Sequence, residues 1–303
     1  MGTQGLWSST VLRQKTWMIQ YLYLGRVDYD DGLHIQAEIA GLVGEGRAQN
    51  VLLLLEHPPV LTLGRNAHRS NILASDELLA SRGVTVHEIN RGGDVTYHGP
   101  GQLVGYPIFD LRTLRNQSGS RIGPVDFVRG MEEALIRLCG DFGVEAGRIR
   151  GLTGVWCNLR HGGDSDESRQ AKAGKPAGDE RKIAAIGIHV ARGITSHGFA
   201  FNVTTNLADF AFIVPCGIPD HAVTSLEKEI QPPTELPSLE SIAHQVARQF
   251  GQVFGEEVLA VESLEALRGQ AVASRQFPAE DTPLQIPSEV ERLLGTPDRP
   301  VRA

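Results

Sequence analysis

Three cysteines in 303 residues, Cys139, Cys157 and Cys216, are too few and too scattered for a disulfide framework. No Cys-x-x-Cys pair marks a zinc site. The thiols suit a reducing, cytoplasmic setting, where a free cysteine is either buried filler or a reactive group. Long hydrophobic stretches are missing too. A run such as Val51 to Leu55 is far too short to cross a bilayer. The N-terminus lacks the charged-then-apolar layout of a secretory signal, so no membrane contact is expected. Basic charge is also in deficit: 29 Lys and Arg stand against 36 Asp and Glu, a formal net charge of −7. That excludes a global signature of nucleic-acid binding. With 41% hydrophobic and 21% charged residues, the chain has an ordinary globular composition.

What is present is an irregular succession of short strands and helices. Trp17–Leu24 reads as a first strand, Asp30 and Asp31 as caps of a helix reaching about Gly46, and Val51–Glu56 as a buried strand ended by His57-Pro58-Pro59. The spacing predicts a helix over Asn71–Arg82 and strands over Val84–Asn90 and Gln102–Asp110. Pro124 opens a helix whose Val128, Met131, Leu135 and Leu138 form one apolar face, with Cys139 beside it as a structural thiol. Strands follow at Gly154–Leu159, Lys182–Val190 and His197–Val203. Ser238 caps a last helix with Ile242, Val246, Phe250 and Val253 turned inward. Residues 160–180 carry no large apolar side chain and read as a disordered, solvated insertion. There is no regular βαβα beat and no internal repeat. The expected fold is α/β: a mixed sheet with flanking helices in one domain over 17–260, a flexible overhang at 1–16 and a largely irregular extension at 261–303.

The most informative stretch is Arg91 to Tyr106, RGGDVTYHGPGQLVGY, with five glycines among a cation, an imidazole, a hydroxyl and two phenols. Such a segment gives up packing yet keeps polar tips, which suits a pocket wall where backbone approaches a ligand closely. Taken alone, Gly99-Pro100-Gly101 reads as a hairpin turn between two strands. A second candidate is Cys216 in FIVPCGIPDHAVTSL, where proline before it and glycine after it favour a turn that presents the thiol. A nucleophilic thiol needs a neighbouring cation or base. Lys182, at the start of KIAAIGIHV, is the cation by context, although a lysine at a strand end is ordinarily solvent-exposed. His98, His189, His197 and His221 compete as general base, and their spacing does not choose among them.

Taken together and in order, RGGDVTYHGPGQLVGY, then KIAAIGI with HGFAFNV, then VPCGI with VTSL resemble the octanoyl-acyl-carrier-protein:protein octanoyltransferases. EHPPVLTLGR at 56–65 resembles an earlier strand and turn of that family, and the likeness covers roughly residues 20 to 254. The resemblance implies a fold shared with biotin and lipoate protein ligase catalytic domains. It implies an octanoyl transfer from acyl carrier protein to a lysine of lipoyl domains, those of 2-oxoacid dehydrogenase E2 subunits and the glycine cleavage H protein, without cofactor or metal. Carried over residue by residue, it makes Cys216 the thioester nucleophile and Lys182 its activator. The acyl-binding segments fall on Arg91, Gly92, Gly93, Asp94, Val95, Thr96, Tyr97 and His98, on Ala185, Ile186 and Gly187, and on Gly198, Phe199 and Ala200. Val95, Tyr97, Ile186 and Phe199 are the expected apolar lining.

Acidic partners would need a local basic rim on this acidic chain, for which Arg65, Arg91, Arg148, Arg150, Arg181 and Arg192 are candidates. The Gln and Cys-Trp context of a papain-like cysteine hydrolase is missing around Cys216, and two other rival readings remain. An ATP-dependent lipoate or biotin ligase of the same fold would not need Cys216, and a non-catalytic module would bind an acyl chain or carrier without turnover.

Overall fold

Val51 to Leu55 are all fully buried, because the strand that holds them is covered on both faces. The computed structural model describes residues 18–116, 118–159, 180–214, 222–232 and 234–273. Its strands are β1 (Met18–Arg26), β2 (Asn50–Glu56), β3 (Val60–Leu63), β4 (Thr85–Glu88), β5 (Val95–His98) and β6 (Gln102–Ile108) in the first half. In the second half come β7 (Ala146–Ile149), β8 (Leu152–Cys157), β9 (Arg181–Ala191), β10 (Ile194–Asn202), β11 (Ala222–Val223) and β12 (Glu257–Ala260). The helices are α1 (Tyr29–Gly44), α2 (Asp76–Ser81), α3 (Pro124–Asp141), α4 (Leu226–Glu229), α5 (Leu239–Phe254) and α6 (Leu264–Ala273).

Among the described residues a nine-stranded mixed sheet runs β12-β1-β2-β6-β10-β9-β8-β7, with β11 added parallel to β9. A second, three-stranded sheet has the order β4-β3-β5. Leu52 and Leu54 point from β2 toward α3 and α5, where Phe127, Met131, Leu135, Leu138, Ile242, Val246 and Phe250 complete one core. Val51, Leu53 and Leu55 point the other way, toward Ile39, Leu42 and Val43 of α1. The apolar stripes read from sequence thus become the two sides of one sandwich. Pro124 occupies the first turn of α3, and Ser238 caps α5 by accepting from the Ser241 N–H at 3.2 Å.

The sequence and structure part company in three places. Asn71–Arg82 is not one helix. A 3-10 turn at Arg69–Asn71 is followed by extended chain, in which Ile72 bridges to Ile213 and Leu73 donates to the Phe212 carbonyl at 2.8 Å. Only α2 is helical, started by Ser75, so pairing with a distant segment overrides local propensity. Gly99-Pro100-Gly101 does not close a hairpin: β5 pairs with β3 and β6 with β2 and β10, so the turn passes from one sheet to the other. Beyond 260, α6 is a helix that buries Leu267 beside Val261. The overhang at 1–16 and the insertion at 160–179 lie outside the described residues.

Candidate active site

Strand alternation carves a slot on one face of the large sheet. Ala185 and Gly187 of β9 are the cross-strand partners of Ala200 and Gly198 of β10, so four small residues share one face. Val104 and Tyr106 of β6 continue that face, while Thr96 and His98 of β5, Arg91 and Asp94 before it, and Tyr29 of α1 close it from the other side. The space between is a cavity of about 190 Å³. For scale, an apolar cavity of roughly 150 Å³ admits benzene. At Gly187 a Cβ would lie 2.5 Å from the Gly92 carbonyl oxygen. Glycine at that position lets the loop before β5 dock on β9, where the Gly92 N–H donates to the Ile188 carbonyl at 3.0 Å.

Most residues singled out from sequence border this cavity: Arg91, Gly93, Asp94, Thr96, His98, Lys182, Ala185, Ile186, Gly187, Gly198, Phe199 and Ala200. Three do not. Gly92 contacts β9 through its backbone. Val95 and Tyr97 alternate to the far face of β5, where they pack with Leu61, Leu63 and Phe210, and the Tyr97 hydroxyl donates to Asp209 at 2.8 Å. They are wall supports and not acyl lining, because a period of two cannot put neighbours on one face. By the same alternation the side chains of Ile186 and Phe199 turn away from the four small residues into the core under α3 and α5, Phe199 against Phe250, so they too are not the apolar lining expected from sequence. Cys216 and His221 lie outside the described residues.

Lys182 is 7% exposed, not the solvated strand-end lysine that its position suggests. Its Nζ sits 4.6 Å from the centroid of the Trp156 ring, a cation–π contact. Room for it comes from an irregularity in β8, where the pairing with β9 shifts register between Val155 and Trp156. Gly154, just before, has φ +131°, and a Cβ there would lie 2.6 Å from the Ala184 carbonyl oxygen and 3.3 Å from Lys182 Cε. The buried Glu132 carboxylate pins the bulge by accepting from the Gly154 N–H at 3.0 Å, and is itself held by Arg129 and Arg148. Gly154→Ala is therefore expected to displace Lys182 and to destabilise the fold by about 1–3 kcal/mol, the cost of a residue held in a sparsely populated backbone conformation. The check is a denaturant melt followed by circular dichroism. Wild-type stability in Gly154→Ala would contradict the placement.

The imidazoles near the slot are held neutral. Burial, then the nearby His57, pushes His98 down to about 3. Burial pushes His57 down to about 4, and burial followed by Arg91 pushes His197 down to about 4. The Tyr106 hydroxyl donates to His57 Nε2 at 2.6 Å while His57 Nδ1 donates to the Val27 carbonyl at 2.6 Å. Unfolded histidines take up protons near pH 6.5, and these folded ones do not until about pH 4 or below. Their contribution to stability is complete above about pH 6.5 and is lost as pH falls toward 4, at up to about 1.4 kcal/mol per pH unit for each. A calorimetric Tm series should stay level above about pH 7 and decline from pH 6.5 to 5. A Tm unchanged down to pH 5 would contradict this.

Several cavity residues were not read from sequence. Tyr29 sits in the first turn of α1, Gly151 in the turn before β8, and Leu152 and Thr153 at the start of β8, with no local signal. Tyr106 and His197 were visible as polar tips, but not their direction. The arginines expected at a basic rim divide differently. Arg91 is buried and donates to the Thr62 carbonyl at 2.7 Å. Arg148 pairs with Glu132 and Glu133, and Arg181 with Glu229. Arg65, Arg150 and Arg192 are exposed.

The family described as Lipoyl protein ligase A/B catalytic domain matches residues 28–251. Over 250 residues the chain is 56% identical to an octanoyltransferase of Acidobacterium capsulatum, covering 81% of this chain and 94% of that one. It is 47% identical over 276 residues to an octanoyltransferase of Koribacter versatilis, covering 91% and 97%. The chain belongs to the octanoyltransferase family. It is an acyltransferase. The fold agrees: a bipartite lipoate protein ligase from Thermoplasma acidophilum, solved with its E2 lipoyl domain, superposes with a TM-score of 0.59 at 14% identity. That match covers 84% of this chain and 91% of the other. A putative lipoate protein ligase of T. acidophilum with bound lipoic acid gives a TM-score of 0.56, also at 14% identity, covering 84% and 94%. Among the described residues no helix is long and apolar enough to cross a membrane.

Proposed function

We propose that this octanoyltransferase takes its acyl group from octanoyl-acyl carrier protein and passes it, through a thioester on Cys216, to a lysine of a lipoyl domain. The observation that carries the reading is Lys182: a buried lysine at the head of a slot floored by Ala185, Gly187, Gly198 and Ala200. From Lys182 to Gly187 along β9 is about 16 Å at the usual strand rise. An octanoyl chain has seven C–C bonds of about 1.5 Å and spans at most about 10 Å, so the slot is long enough. Cysteine chemistry narrows the nucleophile. Cys139 and Cys157 are both buried, and burial raises both thiols, Cys157 to about 12. Neither supplies a thiolate at neutral pH, which leaves Cys216 of the chain's three cysteines.

In the first half-reaction the Cys216 thiolate attacks the donor carbonyl. A new C–S bond forms, the bond to the carrier's thiol breaks, and the Lys182 ammonium gives its proton to the departing sulfur. In the second half the acceptor lysine's amine attacks the acyl-enzyme. A C–N bond forms, Cys216 leaves as thiolate, and neutral Lys182 takes the amine's proton, so the starting pair is restored. Thioester exchange is nearly balanced and thioester-to-amide conversion is downhill, so neither step consumes ATP. The acceptors are the lipoyl domains of 2-oxoacid dehydrogenase E2 subunits and the glycine cleavage H protein, and the setting is cytoplasmic. The test supplies a lipoyl domain with octanoyl-acyl carrier protein alone, or with octanoate, ATP and magnesium. Acceptor modification in the first mixture supports the transferase. Modification only in the second would establish an ATP-dependent ligase instead.

A further inference from the structure

A buried chain of amides leads from the cavity wall to the strand beside Lys182, and two backbone carbonyls fix its orientation, since a carbonyl only accepts. The Tyr97 carbonyl faces Gln102 Nε2 at 3.1 Å, so Gln102 Oε1 is the atom 2.8 Å from His98 Nδ1. The Thr224 carbonyl faces Asn202 Nδ2 at 2.9 Å, so Asn202 Oδ1 accepts from Gln102 Nε2, also at 2.9 Å. Both ends demand the same assignment. With an oxygen at Nδ1, the His98 proton sits on Nδ1 and Nε2 carries a lone pair. The Thr62 hydroxyl is 3.5 Å from that lone pair, a long and weak contact. His98 lines the cavity, and with Nδ1 committed to Gln102 its remaining polar atom is Nε2. At the far end, the Thr224 N–H donates to the Lys182 carbonyl at 2.9 Å. Gln102, Asn202, Lys182 and Thr96 also border a second void of about 10 Å³, room for a single water.

We propose that Gln102, held by Asn202, is a positioning residue for acyl transfer: it locks His98 as the Nδ1–H tautomer, so that Nε2 receives an N–H of the amine entering the slot. The role rests on the octanoyl-transfer reading above. The imidazole orients the amine and does not take its proton, which passes to Lys182. The same amide chain ties His98 to the strand that carries Lys182, so the acceptor for the amine and the group that deprotonates it are set on one framework.

The test compares Gln102→Met with Gln102→Glu. Methionine fills the space without a hydrogen bond, whereas glutamate keeps an acceptor against Nδ1–H at the cost of a buried charge and of the two bonds that Gln102 Nε2 donates to the Tyr97 carbonyl and Asn202 Oδ1. Each full-length protein is labelled with ¹⁵N-histidine for imidazole spectra and assayed for transfer from octanoyl-acyl carrier protein to a lipoyl domain. Wild type and Gln102→Glu should show His98 as Nδ1–H, and Gln102→Met should lose that pattern. In Gln102→Met, kcat should fall about 10- to 100-fold, by analogy with the partners that orient metal-bound imidazoles, with little change in the donor's KM. Gln102→Glu should recover most of that loss. A merely structural role reverses the order, because a buried carboxylate disturbs packing more than methionine does. Gln102→Glu worse than Gln102→Met, an unaltered kcat in Gln102→Met, or Nε2–H in wild type would overturn the proposal. A wild-type protein that transfers nothing would instead overturn the functional reading, and the spectrum would still decide the tautomer.

Discussion

Lys182→Met is expected to lower kcat/KM by about a thousandfold, inside the roughly 10²–10⁴-fold range of a positioned proton-transfer group. The substitution isolates chemistry from packing. Methionine matches the length of the lysine stem and makes favourable sulfur–aromatic contacts, so it should rest on Trp156 in the place where Lys182 Nζ lies 4.6 Å from the ring centroid. The melt should stay near wild type while turnover collapses. Lys182→Arg separates the two tasks assigned to the lysine. Arginine keeps the positive charge but cannot give up its proton in a protein. If Lys182 served only as a charge, Lys182→Arg would recover acyl-enzyme formation and acceptor transfer alike. The account expects a defect in both steps, read by single-turnover kinetics of each half-reaction. A Lys182→Met enzyme within a few-fold of wild type would remove Lys182 from the reaction.

Cys216→Ala should cost more, about 10⁴-fold or greater, as removal of the nucleophile does in other covalent enzymes. The binding surfaces should survive, because the slot is built from β5, β6, β9 and β10. A Cys216→Ala protein should therefore still bind the acyl donor and fail to turn it over. Cys139→Ala and Cys157→Ala serve as internal comparisons. Both thiols are buried in the core shared by α3, β8 and β9, so these changes should affect stability more than rate. Undiminished transfer by Cys216→Ala would remove the thioester intermediate from the scheme.

How much of this was legible in the sequence depends on what each residue's neighbours are. The apolar face of α3 and the run in β2 declare themselves, because burial there follows from periodicity within one element. The floor of the slot was half visible. Ala185, Gly187, Gly198 and Ala200 stand out as small residues, yet only the pairing of β9 with β10 shows that they share a face. Val95 and Tyr97 were misassigned because the glycine-rich stretch reads as loop, whereas Val95–His98 is a strand whose alternate residues part company. The burial of Lys182 depends on Trp156, Gly154 and Glu132, all distant in sequence, and Glu132 shows in sequence only as one acidic residue of an amphipathic helix. The expected helix at Asn71–Arg82 was lost to pairing of Ile72 with Ile213, a contact no local pattern announces. The rim arginines show the same limit in charge: Arg148 and Arg181 are spoken for by carboxylates that lie far off along the chain.

The most direct test of the central claim is intact-protein mass spectrometry of the chain mixed with octanoyl-acyl carrier protein in the absence of ATP, followed by peptide mapping and then addition of a lipoyl domain. The account predicts one octanoyl adduct on Cys216, absent from Cys216→Ala, which disappears as the acceptor lysine becomes octanoylated. No adduct, an adduct on another residue, or one that does not pass to the acceptor would contradict it.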